Sequence, residues 1–176
     1  MSRGGHSCCF AELTQGPYDQ SPVEAWKDVL CFTSAPLTGN LEVTGPISVT
    51  LWAATSAQDT DWIARLVDVF PDGRAINLTE GILRARYRDG LEATKLLERD
   101  KVYEYHLNLR ATSNVFLTGH RVRVDVQSSS FPHWDRNPNN GQPFGESTIS
   151  DLETATQTVF HDGARPSHIR LQIVPR

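Results

Sequence analysis

The chain has 176 residues, of which 39% are hydrophobic and 22% are charged, and its formal net charge is −4 at pH 7. This length supports one domain with its own core, and the acidic balance argues against the Lys- and Arg-rich surface that nucleic-acid binding requires. No apolar run approaches the roughly 20 residues that span a bilayer, so no membrane partner is expected. The start of the chain, MSRGGHSCCF, lacks the apolar region of a signal peptide. Three cysteines without CxxC spacing, Cys8, Cys9 and Cys31, favour a reducing, cytoplasmic setting.

Short β-strands separated by Gly, Pro and Asn are predicted along the whole chain. In chain order, the candidate strands are residues 29–33, 41–44, 47–51, 62–70, 82–87, 103–109, 122–126, 156–161 and 169–173. The clearest is 122–126, where valines alternate with polar residues and therefore share one buried face. Segment 62–70 (WIARLVDVF) is almost continuously apolar, which is typical of a strand covered on both faces.

Helical patterns are limited to two short stretches, 91–99 (LEATKLLER) and 148–153. The sequence contains no internal repeat, low-complexity tract or linker, so residues 1–176 are predicted to form a single domain. Many short strands with little helix predict an all-β fold, a sandwich or jelly roll with at least eight strands.

Motifs for hydrolytic or metal chemistry are absent from the sequence. None of the twelve glycines opens the GxSxG pattern that presents a serine nucleophile on a strained turn. The six histidines are scattered and HExxH does not occur, so we predict no catalytic residue, no metal site and no cofactor. The DTDW motif at 59–62 and the Asx-rich segment 135–139 could supply oxygen ligands to calcium, but Asx residues at such positions more often cap turns.

Three arginines alternate with apolar residues at the end of the predicted strand 82–87. If the strand extends to Arg88, then Arg84, Arg86 and Arg88 share one face. Their guanidinium groups could bind an anionic ligand. Alternatively, they form a solvated outer face, where charges discourage pairing with another strand.

Three longer stretches resemble one protein family. They are residues 15–37 (QGPYDQSPVEAWKDVLCFTSAPL), 41–88 (LEVTGPISVTLWAATSAQDTDWIARLVDVFPDGRAINLTEGILRARYR) and 103–141 (YEYHLNLRATSNVFLTGHRVRVDVQSSSFPHWDRNPNNG). Together they are similar to the C-terminal domain of the X-prolyl dipeptidyl peptidase and cocaine esterase family, the CocE/NonD hydrolases. The GGHSCC segment resembles the lead-in to that domain, and the resemblance extends from about Gly4 to Pro175.

The resemblance implies a longer parent protein that is a serine hydrolase, either an X-Pro dipeptidyl peptidase or an acyl esterase. Such proteins have an α/β-hydrolase domain with a Ser-Asp-His triad, a helical cap and a C-terminal jelly roll, and this chain matches only the jelly roll. The resemblance thus implies a jelly-roll β-sandwich of the galactose-binding-domain-like kind. The resemblance therefore implies a non-catalytic domain that hydrolyses nothing alone and needs no cofactor. Its expected partners are the missing hydrolase and cap domains. We also expect self-association into a homo-oligomer, through surface that those domains would cover.

A different class of function remains as the alternative. Jelly rolls also occur as free-standing carbohydrate-binding or lectin-like modules. In such a module, exposed aromatic rings such as those of Trp26, Trp52 or Trp134 would stack on sugars.

Two segments are predicted to form the contact with the missing hydrolase domain. DTDW (59–62) enters a predicted central strand, and FPHWDRNPNNG (131–141) follows the strand 122–126. We expect both at the same end of the sandwich, with Trp62 or Phe131 reaching the rim of the substrate pocket. The candidate residues are Asp59, Asp61, Trp62, Phe131, His133 and Trp134.

Overall fold

The computed structural model describes residues 16–143 and 145–175. The nine strands of these residues are β1 (Leu30–Thr33), β2 (Leu41–Thr55), β3 (Asp61–Val69), β4 (Ala75–Arg84), β5 (Tyr103–Phe116), β6 (Arg121–Gln127), β7 (Gln157–Asp162), β8 (Arg165–Pro166) and β9 (His168–Arg170). One antiparallel sheet has the order β1–β6–β3–β4, and the other has the order β5–β2–β7–β8, with β9 also paired to β2. The predicted all-β sandwich is confirmed.

Helical structure within the described residues is limited to single turns. They are α1 (Ser21–Glu24) and two 3₁₀ turns, Ala85–Tyr87 and Ile149–Asp151. The turn Ile149–Asp151 lies inside the helical stretch predicted at 148–153. Thr148 and Asp151 form a capping box at its N-terminus. None of the helices in the described part of the chain is long and apolar enough to cross a membrane.

Strand β3 occupies the centre of the first sheet, between β6 and β4, and all nine of its residues are buried. One face of β3, with Trp62, Ala64 and Leu66, packs into the core between the two sheets. The other face carries two charged side chains, Asp61 and Arg65, which are also buried. The predicted strand at 62–70 is thus covered on both faces, but the outer cover is partly polar.

Residues 91–99 form an irregular segment, so the helix predicted there is wrong. Leu91 is 83% exposed, whereas Leu97 is buried, so the leucines do not share one packed face. The backbone N–H of Leu97 donates to the carbonyl of Gln58 rather than to a residue one turn earlier. A helix of two turns is marginal in water without an apolar face to bury. In this segment, a backbone hydrogen bond to Gln58 takes the place of the bond that a helix would form within itself.

Two predicted strands at 41–44 and 47–51 are halves of the single strand β2. The pairing register between β2 and β5 shifts between Pro46 and Ser48, which is where the sequence suggested a break. The GGHSCC segment, with Cys8 and Cys9, lies outside the described residues.

Candidate functional site

The two segments predicted to form a contact surface lie against each other at one end of the sandwich. The side-chain amide of Asn137 donates hydrogen bonds to Asp59 Oδ2 and to Asp61 Oδ1, each at 2.8 Å. All three side chains are buried. The structure therefore brings segments 59–62 and 131–141 together, as the sequence predicted.

Two arginines neutralise the buried aspartates of this end. Arg84 donates to both oxygens of Asp61, at 2.9 and 3.1 Å, and reaches Asp135 at 3.1 Å. Arg86 donates to Asp59 from its Nε at 2.7 Å and from its backbone N–H at 3.0 Å. Burial raises the pKa of Asp61, and the hydrogen bonds from Arg84 oppose that shift. These carboxylates accept bonds from arginine and asparagine donors, which makes them anchors for the segment.

The arginine stripe predicted beyond residue 82 does not form. Strand β4 ends at Arg84, and the 3₁₀ turn Ala85–Tyr87 changes the direction of the residues that follow. Arg86 turns inward and is 7% exposed, while the Arg88 guanidinium lies 4.6 Å from the ring centroid of Tyr103. Since the three side chains have separate partners, they form neither an anion-binding face nor a solvated strand face.

A second buried ion-pair network lies on the outer face of β3 and β4. Arg65 donates from Nε and Nη2 to Glu80 Oε2, at 2.9 and 2.7 Å, and from Nη1 to Gln20 Oε1 at 2.7 Å. The other oxygen of Glu80 contacts Nδ1 of His133. Burial raises the pKa of Glu80, but the hydrogen bonds and charges of His133 and Arg65 outweigh it and hold this pKa at about 2. The network thereby anchors His133, one of the predicted site residues, to the sheet.

Sequence reasoning did not identify Arg65 and Glu80 as part of the site. A signal was present, because Arg65 interrupts the apolar segment 62–70 and a buried charge requires a partner. The partners could not be read from the sequence, since Glu80 is 15 positions away from Arg65 and Gln20 is 45 positions away.

Residues 131–136 cover these ion pairs with an aromatic surface. The Trp134 ring stacks on His133 with centroids 4.7 Å apart, and the Arg136 guanidinium lies 4.6 Å from the ring centroid of Phe131. Phe131 is 40% exposed and borders an open cleft of about 440 Å³, which is also lined by the exposed side chains of Ile149 and Leu152. The side chains of Phe131, Trp134, Arg136, Ile149 and Leu152 together form the aromatic-loop surface. The His133 side chain is only 11% exposed and supports this surface through its stacking contact with Trp134.

Three of the six predicted site residues act from inside the domain. The Trp62 indole is 1% exposed and packs in the core beside Tyr105, with ring centroids 5.7 Å apart. Trp62 therefore cannot reach the rim of a pocket in another domain, because core packing of the large indole prevails over the surface position expected for it. Asp59 and Asp61 are buried as well, which leaves the residues of segment 131–136 as the surface candidates.

A serine nucleophile would have to be exposed beside a histidine. Ser130 is near His133 in sequence, but it is 2% exposed. Its hydroxyl accepts a hydrogen bond of 3.4 Å from Nη2 of Arg65. Ser130 thus belongs to the buried ion-pair network and is not presented to a substrate.

Two of the three tryptophans suggested for sugar stacking, Trp52 and Trp134, do not share one face. Trp52 lies on β2 in the second sheet and alternates with the buried residues Leu51 and Ala53, so its side chain points away from the core. Trp134 stacks on His133, which is bound to the first sheet through Glu80. A common aromatic platform that includes Trp52 and Trp134 is therefore absent.

Comparisons with known proteins identify longer relatives of this chain. It is 45% identical over 172 residues to the cocaine esterase of Rhodococcus sp. (strain MB1 Bresler), a match that covers 98% of this chain and 30% of the esterase. The structure of an aminopeptidase from a marine sediment Thaumarchaeota archaeon aligns with a TM-score of 0.86 and 36% identity, covering 90% of this chain and 28% of that chain. An α-amino acid ester hydrolase aligns with a TM-score of 0.84 and 36% identity, covering 89% of this chain and 27% of that chain.

These matches have two consequences. The chain spans less than a third of the length of each of the three relatives. Its residues 11–170 match the family described as the X-Pro dipeptidyl-peptidase C-terminal non-catalytic domain. The resemblance seen in the sequence is confirmed, and the chain belongs to this family of X-Pro dipeptidyl-peptidase C-terminal non-catalytic domains.

Proposed function

We propose that this chain is the C-terminal domain of a longer serine hydrolase that cleaves ester or peptide bonds, and that the aromatic-loop surface docks it onto the catalytic domain. Three longer relatives support the first part, since they are named a cocaine esterase, an aminopeptidase and an α-amino acid ester hydrolase. The substrate would be bound by the domains outside this chain. The role of this domain would be to support their structure.

One observation carries the docking proposal: an exposed aromatic and apolar surface is held rigidly by buried charges. Ile149 is 86% exposed and Phe131 is 40% exposed, and both line the same open cleft. Exposed apolar patches on domains commonly mark contact surfaces. Directly behind them, Asn137 and His133 are fixed to the sheet by Asp59, Asp61 and Glu80, so the surface has a defined shape before a partner binds.

A chimera tests the proposal. The C-terminal domain of the Rhodococcus cocaine esterase can be replaced by this chain, because the two are 45% identical over 172 residues. We expect an active esterase whose resistance to thermal inactivation drops when Phe131→Ala or Trp134→Ala is introduced. Aromatic anchors at interfaces contribute about 2 kcal/mol each, so the drop should be readily measured.

The matched control is Leu117→Ala. Leu117 is 49% exposed and follows β5 at the end of the sandwich opposite to segment 59–62. We expect this variant to inactivate like the parent chimera. We also expect neither Leu117→Ala nor Phe131→Ala to lower the free energy of unfolding of the separate domain by more than the ~0.5 kcal/mol of an ordinary surface change. Equal inactivation of the Phe131, Trp134 and Leu117 variants would contradict the docking surface.

The cytoplasmic setting also belongs to the proposal. Cys31, the cysteine of the described residues, is a free thiol. Unpaired cysteines are typical of reducing compartments, and mass spectrometry of the protein isolated from its native host under thiol-trapping conditions would test the setting. Quantitative labelling of Cys8, Cys9 and Cys31 supports it, and disulfide-linked forms contradict it.

A further inference from the structure

A cluster of two carboxylates and a thiol lies at the edge of the first sheet formed by β1 and β6. Glu24 is the last residue of α1, Cys31 lies in β1, and Asp125 lies in β6. Cys31 and Asp125 are directly opposite each other in the antiparallel register. One ligand atom from each of the three side chains lies within 4.8 Å of those of the other two.

The buried carboxylate of Asp125 faces two other acids, the Cys31 thiol and the Glu24 carboxyl, which are its hydrogen-bonding neighbours. Asp125 is 1% exposed. Among the residues that the structure describes, none has a donor at full hydrogen-bond geometry to either oxygen of Asp125 or to Glu24 Oε1. A buried acceptor without a donor costs about 1–3 kcal/mol, and more when it is charged. A proton or a cation is therefore required among these oxygens.

The surrounding cations do not fill this requirement. Arg123 contacts the other oxygen of Glu24, Oε2, and leaves Oε1 without a partner. Arg65 lies near enough to act on Asp125 through its charge, but its N–H groups donate elsewhere, chiefly to Glu80.

The donor set has a chemical preference. A thiolate and two carboxylates suit Zn²⁺, which accepts both sulfur and oxygen ligands, better than Ca²⁺ or Mg²⁺, which favour oxygen alone. Tetrahedral Zn²⁺ with ordinary bond lengths places its ligand atoms about 3.4–3.6 Å apart. Since the three ligand atoms lie within 4.8 Å of one another, small side-chain rotations that shorten these distances by about 1 Å would bring them to that spacing. Cys31 is exposed, which gives an ion access from solvent and leaves room for a water as fourth ligand.

We propose that Glu24, Cys31 and Asp125 form a binding site for one Zn²⁺ ion or a similar thiophilic divalent cation. The contact of Arg123 with Glu24 Oε2 orients that carboxylate from outside the site. The sequence predicted no metal site because the three ligands come from separate elements with no recognisable spacing. This site does not depend on the function proposed above.

The experiment uses the whole chain carrying Cys8→Ser and Cys9→Ser, so that Cys31 is the only thiol. Titration with Co²⁺ as a spectroscopic probe should produce a thiolate charge-transfer band at one equivalent, and Zn²⁺ should displace it. Cys31→Ser should abolish the band. Glu24→Gln and Asp125→Asn should each weaken Zn²⁺ binding by at least about tenfold, the lower end of what losing even an outer partner of a metal site costs.

Asp28→Asn is the matched control, since Asp28 is an exposed acid between Glu24 and Cys31 in the sequence, and it should leave the affinity unchanged. Circular dichroism shows whether Asp125→Asn folds, and Glu24→Gln carries the test if it does not. Absence of the band up to about 1 mM metal, the limit of weak binding, overturns the site. A band that survives both carboxylate substitutions also overturns it, because the thiol alone would then account for binding.

Discussion

Replacing Arg65 with Met would remove a guanidinium from the buried network while keeping most of the aliphatic length of the side chain. Arg65 is 2% exposed and its partner Glu80 is 9% exposed. Both N–H donors to Glu80 Oε2 would be lost, and Gln20 would lose its donor as well. Breaking a buried ion pair by removing one partner costs about 3–5 kcal/mol, because the remaining charge stays buried without compensation.

In a chain of this length, each kcal/mol shifts the melting temperature by about 2–4 °C. We therefore expect Arg65→Met to melt about 6–20 °C below the parent chain. Urea unfolding followed by circular dichroism should show the same loss in the free energy of unfolding. The double variant Arg65→Met with Glu80→Gln should recover part of it, because the glutamine is neutral and still offers an acceptor to His133.

Arg74→Met provides the comparison for this prediction. Arg74 also pairs with an aspartate, Asp72, but the two side chains are 55% and 56% exposed. Exposed pairs contribute about 0–1 kcal/mol, so this variant should be nearly as stable as the parent. A loss for Arg65→Met no larger than that for Arg74→Met would refute the view that the buried network stabilises the site.

Three further predictions concern pH, packing and association. The pKa of Glu80 is held at about 2 against an ordinary 4.5, so the ionised carboxylate stabilises the fold fully above pH ~5. This contribution, up to about 3 kcal/mol, is lost as the pH falls toward ~2. Between these pH values the free energy of unfolding of Glu80→Gln should therefore vary less with pH than that of the parent chain, and identical acid unfolding curves would contradict this prediction. Gly81→Ala should lower the free energy of unfolding by about 1–3 kcal/mol or more, because the added Cβ would lie 2.1 Å from the backbone oxygen of Asn108. In the same urea assay, Gly163→Ala should have little effect, since a Cβ at that position would have nothing within 4 Å. The exposed apolar groups around Ile149 should cause self-association, visible by sedimentation at about 100 µM and reduced by Ile149→Ser; a monomer at that concentration would count against it.

The strands were predictable because their signal is local. Valines at alternate positions of β6 and the apolar segment of β3 define buried faces without reference to any other part of the chain. The helical pattern at 91–99 led to a wrong prediction because the stability of a short helix depends on contacts with other parts of the fold. Its leucines could form a helix only if the sandwich offered a surface to cover them, and Leu91 finds none.

The candidate site was predictable only in part. The nearness of segments 59–62 and 131–141 followed from their positions at the ends of strands in a family whose fold was recognised. The inward direction of Trp62 did not follow, because either face of β3 is buried and the sequence does not say which face meets the core. The partners of Arg65 and of Asp125 were likewise beyond reach, since they come from elements that only the folded sheets bring together.

The buried charges at one end of the sandwich bear on what the domain is for. Asp59, Asp61 and Arg65 are each at most 2% exposed, and a domain selected only for stability could have filled these positions with apolar side chains at equal or lower free energy. Ion pairs differ from apolar contacts in fixing direction, since each arginine meets its carboxylate in a defined geometry. Here the paired carboxylates of Asp59 and Asp61 bind Asn137, and that of Glu80 binds His133. These two residues lie on either side of Trp134 and Asp135 in the sequence. We infer that the charges serve to hold segment 131–137 in one shape, which is the property that a surface shared with another domain requires.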